Sequence, residues 1–370
     1  MYKEKLNGLN ELIQEAIDDG AMPGANYCLV SDYGVEFNSL GKKALVPEVE
    51  ENNVDTLYDM ASCSKVISTT TCIFKLLEQG KLRLYDSVKT YVPRFRYPNI
   101  TIWDLMTHSS GLPADVIRSN RIKSREEALD KMFDSVLTYE KNTKIVYSDI
   151  GFILLGLVIE SVSKMKLEEY AEKYIFGPLE MTSTGYNPSD IERCAPTEIR
   201  KDEVYDGVLR GKVHDEKGYI LGGVAGHAGL FSCVKDLSHF IQMILNGGVY
   251  NGKRILSQAS IDLMFTPQVR MINGVSLDYN QRGLGWIVKG DFCSAGDLAS
   301  PETIQHTGYT GTNIFIDRIN RVGFTMLTNR VHPTRENVKV IPFRAKVGNY
   351  IIANFGGRNG NWKNGWFYGK

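Results

Sequence analysis

Ser62 and Lys65 stand three residues apart in Asp59-Met-Ala-Ser-Cys-Ser-Lys-Val-Ile, where an extended segment runs into an apolar helix. Positions i and i+3 share one helix face, so the Lys65 ammonium reaches the Ser62 hydroxyl without help from the rest of the chain. A serine hydroxyl is a poor nucleophile until a base is held against it. The chemistry on offer is acyl transfer through a serine ester. The spacing recurs, since Ser-x-x-Lys occurs five times in the chain. Ser39/Lys42 spans Gly41 in a turn, and Ser161/Lys164 and Ser163/Lys166 lie at a polar helix end. Ser232 reads as the N-cap of the helix that Lys235 enters. Ser62/Lys65 alone leads into a long apolar helix, Val66 to Leu77, where a solvated lysine is out of place. The competing reading of the pair is an ordinary helix start.

Two later stretches carry polar groups of the right kind. Tyr147-Ser-Asp149 precedes the apolar run Ile150-Gly-Phe-Ile-Leu-Leu-Gly-Leu-Val-Ile. Either Ser148 or Asp149 caps that helix and Tyr147 packs, or the phenol and the carboxylate point into a cleft. His306-Thr-Gly-Tyr-Thr-Gly311 lies in a strand-like segment before Asn313-Ile-Phe-Ile-Asp. Two glycines there mark either a bulge or the close approach of another backbone or a ligand.

The elements that must position these groups follow from periodicity. Leu6, Leu9, Ile13 and Ile17 predict a helix over 3–18, ended by Gly20. Ala25 to Val30 and Gly34 to Leu40 read as a hairpin. Between residues 100 and 250 the pattern is mostly helical: Ile102 to Thr107, Arg125 to Thr138, Ile150 to Lys164, Leu167 to Ile175 and Leu237 to Leu245. Residues 177–231 are punctuated by Gly and Pro and show little period. Strands return at Leu284–Lys289, Thr303–His306, Thr312–Asp317 and Gly323–Thr328, and a helix covers Asn337 to Phe355. The expected fold is α/β in the α+β sense, an antiparallel sheet flanked by the terminal helices plus a mostly helical subdomain. The chain reads as one catalytic unit over 1–370. Residues 1–80 and 283–355 form the sheet subdomain, 81–282 the helical one and 356–370 a tail. Ser62 sits where the chain crosses between the two.

Bulk properties exclude several classes. The 43 basic and 43 acidic residues cancel, which argues against nucleic acid or an anionic membrane as partner. No stretch approaches the ~20 apolar residues of a membrane span. Six scattered cysteines without Cys-x-x-Cys pairs read as reduced core thiols. With no apolar run after Met1, the expected location is the cytoplasm, or outside it if a leader has been removed. There is no Gly-x-Ser-x-Gly elbow, His-Glu-x-x-His motif or phosphate loop.

Ser-x-x-Lys, Tyr-Ser-Asx and His/Lys-Thr-Gly in this order resemble the penicillin-recognising serine hydrolases. The nearest likeness is to the class C β-lactamase-like branch, which includes D,D-peptidases, esterases and penicillin-binding proteins. The resemblance spans roughly residues 8–350. It extends to Gly80-Lys-Leu-Arg-Leu-Tyr-Asp-Ser-Val, Thr107-His-Ser-Ser-Gly-Leu-Pro113, Gly222-Gly-Val-Ala-Gly-His-Ala-Gly-Leu-Phe-Ser and Gly283-Leu-Gly-Trp286. It implies the β-lactamase/transpeptidase-like fold, with Ser62 as acylated nucleophile, Lys65 as its proton partner and Tyr147 as relay to the leaving group. It also implies an oxyanion hole from the N–H groups of Ser62 and Tyr309. His306 and Thr307 would hold the substrate's polar end, and the strand at Gly308 would pair with its backbone. His108 and the glycines after Leu221 read as structural. No cofactor is implied, and His214-Asp215 reads as a polar cleft contact rather than a metal site, having no third ligand nearby in sequence. The implied substrates are small molecules: a β-lactam, a peptidoglycan-derived D-amino-acid peptide or muropeptide, or a simple ester. The implied alternative is a penicillin-binding sensor that acylates and deacylates poorly.

The chain departs from the family pattern at two positions. Asp149 replaces an asparagine, and an ionised carboxylate beside Lys65 opposes a base role for the amine. Free lysine titrates near ~10.4, so acting as a base at neutral pH requires a fall of about 3 units, or about 4 kcal/mol. Either Asp149 is protonated, or Lys65 stays charged and Tyr147 serves as the base. His306 replaces the β-lactamase lysine, and a neutral imidazole grips a carboxylate poorly. Both changes predict weak β-lactam turnover.

Overall fold

Alternation along the strand Gly24–Ser31 sets the layering of the molecule. Ala25, Tyr27 and Leu29 face Leu9 and Ile13 of one helix and Val347 and Ile351 of another. Cys28 and Val30 point the opposite way, into a larger core with Ile67, Phe240 and Ile241. The computed structural model describes residues 2–116, 122–202, 204–272, 279–290 and 293–357. In it the sheet is a middle layer, with the terminal helices Tyr2–Asp18 and Val340–Phe355 on one face and the helical block on the other. Burying each such aliphatic or aromatic side chain contributes about 1.5–3 kcal/mol.

Among the described residues the sheet has nine antiparallel strands. Their spatial order is Val269–Ile272, Tyr279–Arg282, Ile287–Val288, Thr303–Thr307, Asn313–Asp317, Val322–Thr328, Gly24–Ser31, Gly34–Ala44 and Glu50–Glu51. The N-terminal hairpin therefore closes on the last strand, in a register running from Ala25↔Thr328 to Val30↔Gly323. The sheet begins at Val269, ahead of the boundary at 283 read from sequence. Val269–Ile272 and Tyr279–Arg282 are short and partly polar, so they carry no strand-like apolar run. The helix expected to Thr138 ends at Phe133, and helices at Val88–Tyr91 and Gln258–Phe265 have no counterpart in the expectation. Residues 177–231 resolve into short strands and turns plus the helix Glu216–Ile220. Of the expected tail, 358–370 lies outside the described residues. Among the described residues, no helix is long and apolar enough to cross a membrane.

Two features of the packing aim at Ser62. The helix after it is irregular: a 3-10 turn Ala61–Cys63, a π-helical turn Lys65–Thr70, then α-helix Thr71–Glu78. Wide turns of this kind concentrate at functional sites. The glycine-rich loop 222–229 presses backbone to backbone on the helix Asp149–Ser163. A Cβ at Gly226 would lie 2.0 Å from the Phe152 carbonyl oxygen and 2.9 Å from the Gly156 nitrogen. Thr69 Oγ1 donates to the Gly226 carbonyl at 2.7 Å, tying the loop to the π-turn. Gly226→Ala is expected to destabilise the protein by about 1–3 kcal/mol through overpacking. Urea denaturation checks this, and an unchanged midpoint would show that loop and helix are not in forced contact.

Candidate active site

The segment before Ser62 is held by its own aspartate. Asp59 Oδ1 accepts from the Ala61 N–H at 2.8 Å and Oδ2 from the His214 N–H at 2.7 Å. Ala61 sits at φ +46°, left-handed backbone that a residue with a Cβ adopts only under constraint. Across the cleft, Thr310 Oγ1 donates to the Asp59 carbonyl at 2.8 Å and Thr312 Oγ1 to the Met60 carbonyl at 3.1 Å. Gly308 permits this approach, because a Cβ there would lie 2.7 Å from the Met60 carbonyl. Arg344, from the last helix, donates to the carbonyls of Gly308 at 2.8 Å and Thr312 at 3.1 Å. Ser64 turns away from the cleft, its buried hydroxyl accepting from the Leu230 N–H at 3.1 Å.

Lys65 is fully buried, and its ammonium has three donors to place. It lies 3.1 Å from Ser62 Oγ, 2.9 Å from the His227 carbonyl and 2.8 Å from Asp149 Oδ1. It also sits over the Tyr147 ring, 4.9 Å from the centroid. Burial alone would lower the ammonium, but Asp149 and Tyr147 beside it outweigh that and hold it above the ordinary lysine value. The carboxyl of Asp149 would be raised by burial, yet Lys65, His227 and Lys217 pull it below the usual range. Of the two states open from sequence, this geometry selects an ionised Asp149 and a charged Lys65.

Tyr147 is placed by the Thr-His-Ser-Ser-Gly-Leu-Pro motif. The His108 ring packs 4.6 Å from that of Tyr147, and its Nδ1 accepts from the Ser148 N–H at 3.1 Å. The Val146 N–H donates to the His108 carbonyl at 2.9 Å, Ser148 Oγ to the Pro113 carbonyl at 2.7 Å and the Asp149 N–H to the Ala114 carbonyl at 2.9 Å. Ser148 also caps the following helix by accepting from the Gly151 N–H, so the capping and cleft readings are both true of this tripeptide. The Tyr147 hydroxyl is buried beside Ser62 and Lys65 without a well-aligned hydrogen bond to either. Burial raises the phenol above its ordinary value, which the Lys65 charge only partly offsets.

Two chambers flank Ser62, Tyr147 and Tyr309. One, of about 400 Å³, is lined by Asp115, Asp149, Asp215, Glu216, Lys217 and Arg335 among others. Lys217 lies 2.9 Å from Asp115, 3.3 Å from Asp215 and 3.4 Å from Asp149. The other, of about 390 Å³, is lined by His306, Thr307 and Gly308 with Arg282, Arg330 and Arg344. His306 is buried, and its Nδ1–H donates to the Thr307 carbonyl at 3.0 Å. Burial, with Lys65 and Arg282 nearby, pushes its imidazolium down to about 3, so the ring is neutral. The exposed Tyr309 ring stacks 5.7 Å from His214, and Arg330 lies 4.7 Å from its centroid. The Tyr309 N–H makes no main-chain hydrogen bond among the described residues, which leaves it free to donate into the cleft.

Ser62, Tyr147, Asp149, His306, Thr307, Gly308 and Tyr309, all singled out from sequence, line these two chambers, and buried Lys65 touches them through Ser62 and Asp149. Sequence reasoning missed the charged frame: Asp115, Lys217, His227, Arg282, Arg330 and Arg344. Lys217 and His227 lie in the aperiodic 177–231 stretch, and Arg282 directly precedes Gly283-Leu-Gly-Trp, the one local signal that marks it. Asp149, Asp215 and His227 offer ligand atoms within 4.8 Å of one another, a spacing a cation could use. The ammonium groups of Lys65 and Lys217 already hold these carboxylates, so a divalent ion would meet like charge.

The profile of the Beta-lactamase family matches residues 9–349. A relative in Escherichia coli named "Putative D-alanyl-D-alanine carboxypeptidase" is 32% identical over 394 residues, covering 95% of this chain and 88% of its own. EstCE1, described as a hydrolase with promiscuous acyltransferase activity, superposes with a TM-score of 0.77 at 20% identity, covering 95% of this chain and 99% of its own. A penicillin-binding protein homologue from Caulobacter crescentus gives 0.76 at 16% identity, covering 95% and 97%. At these identities the two structures speak for the fold.

Asp149→Asn removes the charge that holds Lys65 up, so the titration midpoint of Lys65 is expected to drop. Lysine-labelled NMR of the two proteins measures it, and a midpoint that rises or stays would show that Asp149 does not govern the ammonium.

Proposed function

The chain belongs to the β-lactamase family and is a serine hydrolase, and from that premise we propose that it trims a D-amino-acid peptide through an acyl-enzyme on Ser62. The observation that carries this reading is the buried ammonium of Lys65, fixed against Ser62 Oγ at 3.1 Å with Tyr147 over it. The substrate class is drawn from the E. coli relative's printed name, at 32% identity across almost the whole chain. Ser62 Oγ attacks the carbonyl carbon and forms the ester while the bond to the leaving amine breaks. The serine proton passes through the Lys65–Tyr147 pair to that amine. Water then attacks the ester by the reverse route, releasing the acid and restoring the serine hydroxyl. N–H groups of Ser62 and Tyr309 would stabilise the oxyanion, each worth about 10²–10³ in rate.

Proton economy follows from the charges. With Asp149 ionised, the pair must lose one proton before Ser62 can give one up. Both groups are held above ordinary values of ~10 and ~10.4, so at pH 7 that loss costs about 4 kcal/mol or more. Asp149 also lacks the amide N–H that could bind a substrate carbonyl. Poor turnover of β-lactams is the consequence we infer.

Three measurements test the reading. Intact mass over time with a penicillin and with a D-alanyl-D-alanine peptide should show adducts that Ser62→Ala abolishes. Ser64→Ala should retain them, having lost only a buried hydrogen bond. An adduct that never clears with any substrate would instead identify the sensor alternative. Peptide kcat/KM should climb about tenfold per pH unit from neutrality into the alkaline range, because the pair is active when deprotonated and its midpoint is raised. A plateau near pH 7 would contradict the charge assignment. A chromogenic cephalosporin turned over as fast as the peptide would contradict the substrate class.

A further inference from the structure

His214 borders the carboxylate-lined chamber beside Ser62, yet no step of the acylation uses it. It is 3% exposed and touches both walls of the cleft. Its N–H donates to Asp59 Oδ2 at 2.7 Å, and Asp59 Oδ1 accepts from the N–H of Ala61, the residue before Ser62. Its ring stacks on that of Tyr309, with centroids 5.7 Å apart and planes inclined by 20°. One residue thus contacts the two segments that carry the oxyanion donors.

The imidazole is anchored from behind. Its Nε2 lies 3.1 Å from Glu198 Oε2. Burial would raise the Glu198 carboxyl, but hydrogen bonds from His214 and Arg335 hold it down to about 2. An ionised carboxylate only accepts, so Nε2 carries the proton and donates. Arg335 Nε grips both oxygens of the same carboxylate, at 2.7 and 2.9 Å. Tyr309 needs such a support. It is 50% exposed, and its N–H makes no main-chain hydrogen bond among the described residues. Its carbonyl accepts from Arg330 Nε at 2.9 Å, which fixes one end of the residue. An oxyanion donor works when it stands about 2.7–3.1 Å from the developing charge. A peptide free to rock would lose rate without losing substrate affinity.

We propose that His214 is a positioning residue of the oxyanion hole: its ring, locked to Glu198 and stacked on Tyr309, holds the Tyr309 N–H in register with that of Ser62. This rests on the Ser62 acyl-enzyme reading and adds to it the element that sets the second donor. The main-chain bond from His214 to Asp59 survives a change of side chain, so substitution tests the ring alone.

The test compares a D-alanyl ester with its thionoester, in which sulfur replaces the carbonyl oxygen that becomes the oxyanion. A hole shaped for oxygen favours the ester, and the ratio of the two kcat/KM values reports its geometry. Ratios are taken within each variant, so a general loss of active protein cancels. His214→Ala should shrink the ratio toward unity. It should also lower kcat for the ester by about ten- to hundredfold at nearly constant KM, a part of the ~10²–10³ that one whole donor contributes. Tyr309→Ala, at an exposed ring that the fold does not need, should do the same, and Tyr309→Phe should keep the unmodified ratio. The double variant should be no worse than Tyr309→Ala, because the ring contact is already gone. A ratio unmoved in either alanine variant, a raised KM with kcat intact, or losses that add in the double variant would each overturn the proposal. An unmodified enzyme that forms the Ser62 adduct without telling the two esters apart would overturn it while leaving the Ser62 reading standing. No turnover and no adduct would remove that reading, and the proposal with it.

Discussion

A single ammonium, buried to zero exposure, dictates how the rest of this molecule is arranged. Taking a lysine charge out of water costs several kcal/mol unless every donor finds an acceptor and an opposite charge stands near. Lys65 meets that demand with three groups from three parts of the chain: its own helix at Ser62, the glycine-rich loop at His227 and the start of another helix at Asp149. The nucleophile is therefore one leg of a tripod that the fold must complete. The loop 222–229 has to lie on the Asp149–Ser163 helix without side chains between them, which explains Gly226 and Gly156 at the contact.

The same demand organises the next shell of groups. Asp149, drawn to Lys65, is braced from its other side by Lys217, which in turn bridges Asp115 and Asp215. Asp215 accepts from the Nε2–H of His227 at 2.7 Å, returning to the residue whose carbonyl began the tripod. This closed circuit of charge fills one end of the cleft with carboxylates. At the other end Arg330 and Arg344 hold the strand-end backbone at Gly308, Tyr309 and Thr312 by their carbonyls. The cleft's polarity follows from how each wall is built.

Much of this was legible in residue order. Helical and twofold periods located the terminal helices, the hairpin at 24–44 and the three strands between 303 and 328, because each buries a regular apolar face. The Ser-x-x-Lys pair, Tyr147 and the His306-Thr-Gly turn were legible as local chemistry. The strands Val269–Ile272 and Tyr279–Arg282 were not, since a short edge strand carries too few buried positions to show a period. Lys217 and Arg282 were not either. A charged side chain declares its role through its partners, and theirs lie far away in sequence or, for Arg282, are missing from the described protein.

Sequence alone determined that a serine and a lysine share a helix face, because a helical turn is a local geometry that six residues define. It determined the faces of the sheet for the same reason. Only the tertiary structure decided the protonation of that pair, the neutrality of His306 and the opposite charges at the two ends of the cleft. Those depend on burial and on charges brought together across the chain, and electrostatic energy at such distances is set by position in space, not by position in sequence.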